Sequence, residues 1–128
     1  MPKFSKTSLE HLNQCHPDLI ILFTEVIKVT DCSVICGHRG EYEQNLAFER
    51  GYSKVKYPKS KHNSIPSMAA DCVPYPLDWS DIEAFKKLAE VVLNISQSLL
   101  QDGKISHRVE AGANWDWKDY PHYQLKKI

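Results

Sequence analysis

The sequence predicts an α+β fold in which helices pack on a small antiparallel sheet. Three observations lead there: helical apolar periodicity is confined to the early and middle chain, strand-like segments cluster late, and tight hairpin signals are few. The 128 residues suit one domain, expected over 1–128. Hydrophobic residues make up 42% and charged residues 25%, a composition able to bury a core.

The elements follow in order. Thr7 and Glu10 have capping-box spacing, which predicts a short helix through Leu12. Pro17 suits the first turn of a second helix, and Asp18 sits well beside the positive end of its dipole. Leu19, Leu22, Phe23, Val26 and Ile27 then recur at three- and four-residue spacing, giving that helix one apolar face. Ser33 to Cys36 reads as a short buried strand, and Glu41 to Arg50 as a helix stopped by Gly51. The polar stretch from Tyr52 to Asn63 reads as a loop, and Ser67 to Tyr75 as a strand. Ser80 and Glu83 have capping-box spacing before the clearest helix, whose stripe Ile82, Phe85, Leu88, Ala89, Val92, Ile95 and Leu99 runs towards Gly103. Arg108 to Trp115 and His122 to Leu125 read as two strands joined by an aromatic, acidic turn.

Charge and composition exclude several classes. Sixteen basic residues balance sixteen acidic ones, which removes the basic footprint of a nucleic-acid binder. The aliphatic run Leu19 to Phe23 falls far short of the ~20 apolar residues that cross a bilayer, so no membrane insertion is expected. No apolar segment of a secretory signal follows the first residues. Cys15, Cys32, Cys36 and Cys72 are expected as reduced, mostly buried thiols. The Cys32-x3-Cys36 pair lacks a second pair to complete a structural zinc site.

Two of the six histidines stand in informative surroundings. His62 lies in the polar loop before the strand that carries Asp71, and His122 opens the last strand, three residues after Asp119. Two imidazoles and a carboxylate suffice to hold a catalytic zinc, and a second carboxylate could serve as general base. Asp71 lies between Ala70 and Cys72 in an apolar strand, where a charge needs a partner, whereas Cys72 points to the opposite face and packs in the core. His11, His16 and His107 read as structural or exposed. Trp79 reads as packing, and Trp115 is divided evenly between packing and lining a groove. The lysines from Lys54 to Lys61 read as a solvated loop or as an attraction for an anionic polymer.

These residues carry a resemblance. The segment Ser60-Lys61-His62, followed by Ala69-Ala70-Asp71 and then by Asp119-Tyr120-Pro121-His122-Tyr123-Gln124-Leu125, resembles the metal motif of the VanY-like peptidoglycan peptidases. It is closest to their phage-endolysin branch, the L-alanyl-D-glutamate peptidases. Gly37-His38-Arg39-Gly40 with Gln44, then Gly51-Tyr52-Ser53-Lys54, and Leu77-Asp78-Trp79 extend the resemblance in order from about residue 17 to the C-terminus. It implies a Hedgehog/DD-peptidase-like fold, with zinc held by His62, Asp71 and His122, Asp119 as general base, and Arg39 at the scissile carbonyl or oxyanion. Ser60, Gln44 and Ser53 would support the site or position substrate; Trp115, where it lines the groove, is the aromatic expected to bind substrate.

The partner so implied is bacterial peptidoglycan, and the chain is expected to be a monomer. It would accumulate in the bacterial host cytoplasm during phage infection and reach the wall after holin-mediated release. Two other readings stay open: a D-alanyl-D-alanine carboxypeptidase of the same fold, and a catalytically silent wall-binding domain.

Overall fold

The computed structural model describes residues 2–128. Helix α1 (Lys6–Leu12) leads into α2 (Pro17–Val29), strand β1 (Cys32–Cys36) and α3 (Glu41–Glu49). After a long loop come β2 (Ala69–Pro74), α4 (Ile82–Gln101), β3 (Arg108–Ala111) and β4 (His122–Lys126). The four strands form one antiparallel sheet in the order β1-β2-β4-β3. The expected α+β fold, with helices on a small antiparallel sheet, is the one observed. Among the described residues, no helix is long and apolar enough to cross a membrane.

Several boundaries differ from the expectation for local reasons. The first helix begins earlier, because Ser5 rather than Thr7 caps it, its hydroxyl accepting from the Ser8 amide at 3.1 Å. Helix α4 is likewise capped by Asp81 instead of Ser80; its carboxylate accepts from the Ala84 amide at 3.1 Å, while Ser80 hydrogen-bonds Asp78. The strand expected from Arg108 to Trp115 stops at Ala111, where Gly112–Asn114 wind into a single 3₁₀ turn. Helix α3 ends ahead of Gly51, whose φ of 78° places it in the left-handed region that glycine adopts without strain.

The core lies between one face of the sheet and the helices α2 and α4. Leu19, Leu22, Phe23 and Val26 of α2 and Leu88, Ala89 and Val92 of α4 meet Ala70 and Cys72 of β2 and Tyr123 and Leu125 of β4. Strand periodicity does the sorting: with Ala70, Cys72, Tyr123 and Leu125 inward, Asp71, His122 and Gln124 point to the opposite face. The sheet therefore separates a hydrophobic side from a side that carries the polar chemistry. Helix α1 shields the free edge of β1, where the Ser8 hydroxyl accepts from the Val34 amide at 3.1 Å. All four cysteines are free, and Cys15, Cys32 and Cys72 are buried.

One core group is unsatisfied. Tyr123 is fully buried, its ring meeting Phe23 edge-on at 5.7 Å, and its hydroxyl finds no hydrogen-bond partner among the described residues. An unpaired buried hydroxyl costs about 1–3 kcal/mol, so Tyr123→Phe is expected to stabilise the chain by about 1 kcal/mol. A thermal melt should show a midpoint about 4 °C higher. A lower midpoint would mean that the hydroxyl has a partner, such as a buried water.

Candidate active site

A cleft of about 920 Å³ opens on the polar face of the sheet, and His62, Asp71, Asp119 and His122 all line it. Strand pairing brings the central two together, since Asp71 of β2 stands directly across from His122 of β4. His62 arrives from the loop through a one-turn 3₁₀ helix, Lys61–Asn63, capped by Ser60, whose hydroxyl accepts from the His62 amide at 3.2 Å. Asn63 closes the reciprocal half of this capping box on the Ser60 amide at 3.0 Å. Asp119 lies on the turn just before β4, with its carboxylate 3.9 Å from His122 Nδ1.

Hydrogen bonds fix which nitrogen of each imidazole faces inward. His62 Nδ1 lies 2.7 Å from the Gly37 carbonyl, which can only accept, so Nδ1 carries the proton and Nε2 faces Asp71 Oδ1 at 3.2 Å. His122 Nε2 lies 2.9 Å from Gln124 Oε1, and Gln124 is oriented by donating its amide to Glu110 at 3.2 Å. His122 Nδ1 is thereby left towards the same Asp71 oxygen, at 3.4 Å. Two imidazole lone pairs aimed at one carboxylate repel it unless a cation or added protons intervene.

Two of the three separations in that donor set match those around a metal ion. Ligands about 2.0–2.1 Å from a tetrahedral zinc stand roughly 3.3 Å apart, and the two imidazole–carboxylate distances are 3.2 and 3.4 Å. The outward hydrogen bonds to Gly37 and Gln124 are the partners that orient metal-binding histidines. Burial pulls the His62 imidazolium down, but hydrogen bonds and charge from Asp71 and Cys36 raise it to about 10. Burial pushes the Asp71 carboxyl up, yet hydrogen bonds from His122 and His62 outweigh it and hold Asp71 well below the usual carboxylate range. Asp119 moves the other way, raised by burial and by the neighbouring Asp71 charge.

Among the described residues, two groups of three side chains bring ligating atoms within 4.8 Å of one another: Cys36, His62 and Asp71, and separately His16, Asp18 and His107. In the first, Cys36 Sγ approaches His62 Nδ1 at 3.9 Å, the ring nitrogen already turned to Gly37, while His122 reaches Asp71 directly. In the second, the donors are already engaged. His16 Nδ1 caps α2 by accepting from the Asp18 amide at 3.0 Å. Asp18 Oδ2 meets the Ser106 amide at 2.9 Å and His107 Nδ1 at 2.7 Å. This cluster ties the segment before β3 to the start of α2.

The tie has a pH signature. Burial pushes the Asp18 carboxyl up, but the hydrogen bonds from His107 and Ser106 outweigh it, so its folded pKa lies below the ordinary value. A depressed carboxyl contributes stability above its unfolded pKa of about 3.9 and loses it as pH falls through the folded value. Asp18→Asn is expected to cost about 1–2 kcal/mol at pH 7, the worth of hydrogen bonds to a charged group. Urea melts should show that deficit shrinking as pH falls below about 4; a deficit independent of pH would refute the charged tie.

The remaining residues expected at the site divide between the cleft and the layer beneath it. Arg39, Ser53, Ser60 and Trp115 line the cleft. Arg39 Nη2 stands 3.5 Å from Asp71 Oδ2, and the Trp115 ring packs against His122 with centroids 5.1 Å apart. Gln44, expected either to support the site or to position substrate, is fully buried and does not line the cleft. Its amide oxygen accepts from Arg39 Nη1 at 3.1 Å, and its nitrogen donates to Ser53 Oγ at 2.9 Å and to the Val55 carbonyl at 2.7 Å. Gln44 therefore holds the residues that face the cleft. A lone glutamine in a polar helix gave no sequence signal of such burial.

Two further departures concern the cleft wall. Trp79, expected to pack, is 56% exposed; it stacks on Phe85 at 5.5 Å and still lines the cleft. Gly112 carries no side chain because Asp119 lies against it: a Cβ there would meet the Asp119 carbonyl oxygen at 2.2 Å. The Asp119 amide also donates to the Gly112 carbonyl at 3.1 Å, so the turn that presents this carboxylate is seated on a glycine.

Comparison with known proteins agrees with this architecture. The chain resembles the crystal structure of the L-Ala D-Glu endopeptidase ChiX of Serratia marcescens, with a TM-score of 0.77 over 98% of this chain and 91% of that one. Sequence identity is 24%, so the likeness is one of fold. No curated protein sequence matches the chain. A family model described as phage L-alanyl-D-glutamate peptidase matches residues 1–127. The chain thus belongs to the phage L-alanyl-D-glutamate peptidase family, hydrolases that act on peptidoglycan.

Proposed function

We propose that the chain cleaves the L-alanyl–D-glutamate bond of peptidoglycan stem peptides as a zinc enzyme, with His62, Asp71 and His122 as ligands. The observation that carries this reading is the convergence of His62 Nε2 and His122 Nδ1 on one oxygen of Asp71. When bound there, zinc supplies Lewis acidity to the peptide carbonyl and makes a nearby water acidic enough to ionise near neutral pH.

The protein's own groups do the rest. Asp119, beside His122 at 3.9 Å, takes the proton from the attacking water and returns it to the leaving amine. Its raised carboxyl suits that exchange, because a weaker acid holds a proton more readily. Arg39, kept in place by Gln44, offers fixed positive charge to the developing oxyanion. Trp115 covers His122 and limits water on that side of the cleft.

We also propose that the chain reaches the wall from the cytoplasm of an infected bacterium and works as a monomer. Fractionation of infected cells before and after lysis, and sedimentation of the purified chain, test these two points. The function itself is tested by incubating the chain with defined muropeptides, with and without a chelator, and identifying the new amino termini. New D-glutamate amino termini that vanish with chelator and return with zinc are the expected result. Release of D-alanine instead would favour the carboxypeptidase, and equal cleavage with chelator present would rule out the metal.

A further inference from the structure

The cleft holds more positive charge than this chemistry uses. Lys54, Lys59 and Lys118 line it beside Arg39. Arg39 faces Asp71, and Lys61 donates to the Leu125 carbonyl, but none of those three lysines has a carboxylate partner among the described residues. Lys54 is distinguished by being held. Its ammonium stands over the ring of Trp117, 5.3 Å from the centroid, and so bridges the loop after α3 to the turn that presents Asp119.

The backbone around Lys54 is equally constrained. Buried Gln44 grips the residue on either side, donating to Ser53 Oγ and to the Val55 carbonyl, while its oxygen accepts from Arg39. One amide therefore fixes both Arg39 and the turn that carries Lys54. A cation on a pinned turn, resting on an aromatic face and lacking an acid, is set for an anion that arrives with a ligand.

The substrate class supplies such an anion. In the stem peptide the scissile nitrogen belongs to D-glutamate, which continues through its side-chain carboxyl and leaves the α-carboxylate free, one carbon from that nitrogen. A peptide with its carbonyl at His62, Asp71 and His122 brings this carboxylate into the same cleft, where Arg39 is already engaged with Asp71 and a lysine without an acid partner is free to pair with it. We propose that Lys54 binds the α-carboxylate of D-glutamate and sets the preference for that residue after L-alanine. This assignment rests on the peptidase reading above and goes beyond it.

The test compares two muropeptides that differ only at that group, one with D-glutamate and one with D-isoglutamine, whose α-carboxamide is neutral. The ratio of kcat/KM for the acid over the amide is expected to be about 10 or more, the worth of one hydrogen bond to a charged group. In Lys54→Met the ratio should fall to about 1, mainly through KM for the acid, while Lys54→Arg keeps most of it. Lys59→Met and Lys118→Met should retain the preference. Equal cleavage of both peptides by the unmodified chain overturns this assignment alone. So does a ratio that survives in Lys54→Met or collapses in one of the other two lysine variants. Cleavage of neither peptide at L-alanyl–D-glutamate overturns the peptidase reading, and this one with it.

Discussion

Asp119→Asn is expected to lower kcat by ~10²-fold or more, the usual size of general acid–base catalysis, while zinc content stays near that of the unmodified chain. The amide has nearly the same shape as the carboxylate, so the seat of this turn on Gly112 survives the change. What is lost is the ability to accept a proton beside His122, where the carboxylate stands at 3.9 Å. Steady-state cleavage of a defined muropeptide, paired with metal analysis of the same sample, checks both halves. A variant that turns over normally would remove Asp119 from the chemistry. One that loses its zinc would make Asp119 a ligand.

Asp71→Asn is expected to do more damage, and to do it through the metal. Asp71 is the group on which His62, His122 and Arg39 converge, at 3.2, 3.4 and 3.5 Å. Replacing it removes the anionic member of the ligand set and leaves three positive or proton-seeking groups without their common partner. Loss of a group that merely orients a ligand costs 10–100-fold in metal affinity, so loss of this ligand should exceed ~100-fold. Zinc competition with a fluorescent chelator measures the affinity directly, and cleavage should fall to background at stoichiometric zinc. Unchanged zinc affinity would mean that the metal sits elsewhere.

The sequence revealed the parts of this site better than their supports. Asp71 and His122 were legible because strand periodicity puts them on the face opposite Cys72 and Tyr123, and antiparallel pairing then sets them side by side. His62 needed the Ser60-Lys61-His62 pattern, since nothing in a polar loop of lysines says which way an imidazole will turn. Gln44 entered with Arg39 through the family motif, as a residue that either supports the site or positions substrate, and the sequence did not separate the two. Its burial depends on Arg39, Ser53 and Val55 closing around it, which only the tertiary fold decides. The helix starts at Ser5 and Asp81 were each missed by a residue or two, where neighbouring serine, threonine and aspartate side chains compete for the same amides. Trp79 was expected inside because aromatics bury large areas, yet stacking on Phe85 leaves much of it in the open.

The seat of Asp119 on Gly112 has an evolutionary consequence. Any other amino acid at position 112 would drive its Cβ into the backbone oxygen of residue 119, which no rotamer can relieve, whereas the three atoms it would meet first all belong to Asp119 and none to the side chains of α2 and α4. A gene copy drifting without selection can therefore be disarmed by one codon while its product still folds and keeps every metal-binding side chain. In a bacterial chromosome, such a relic would look intact to anyone who inspected only its histidines.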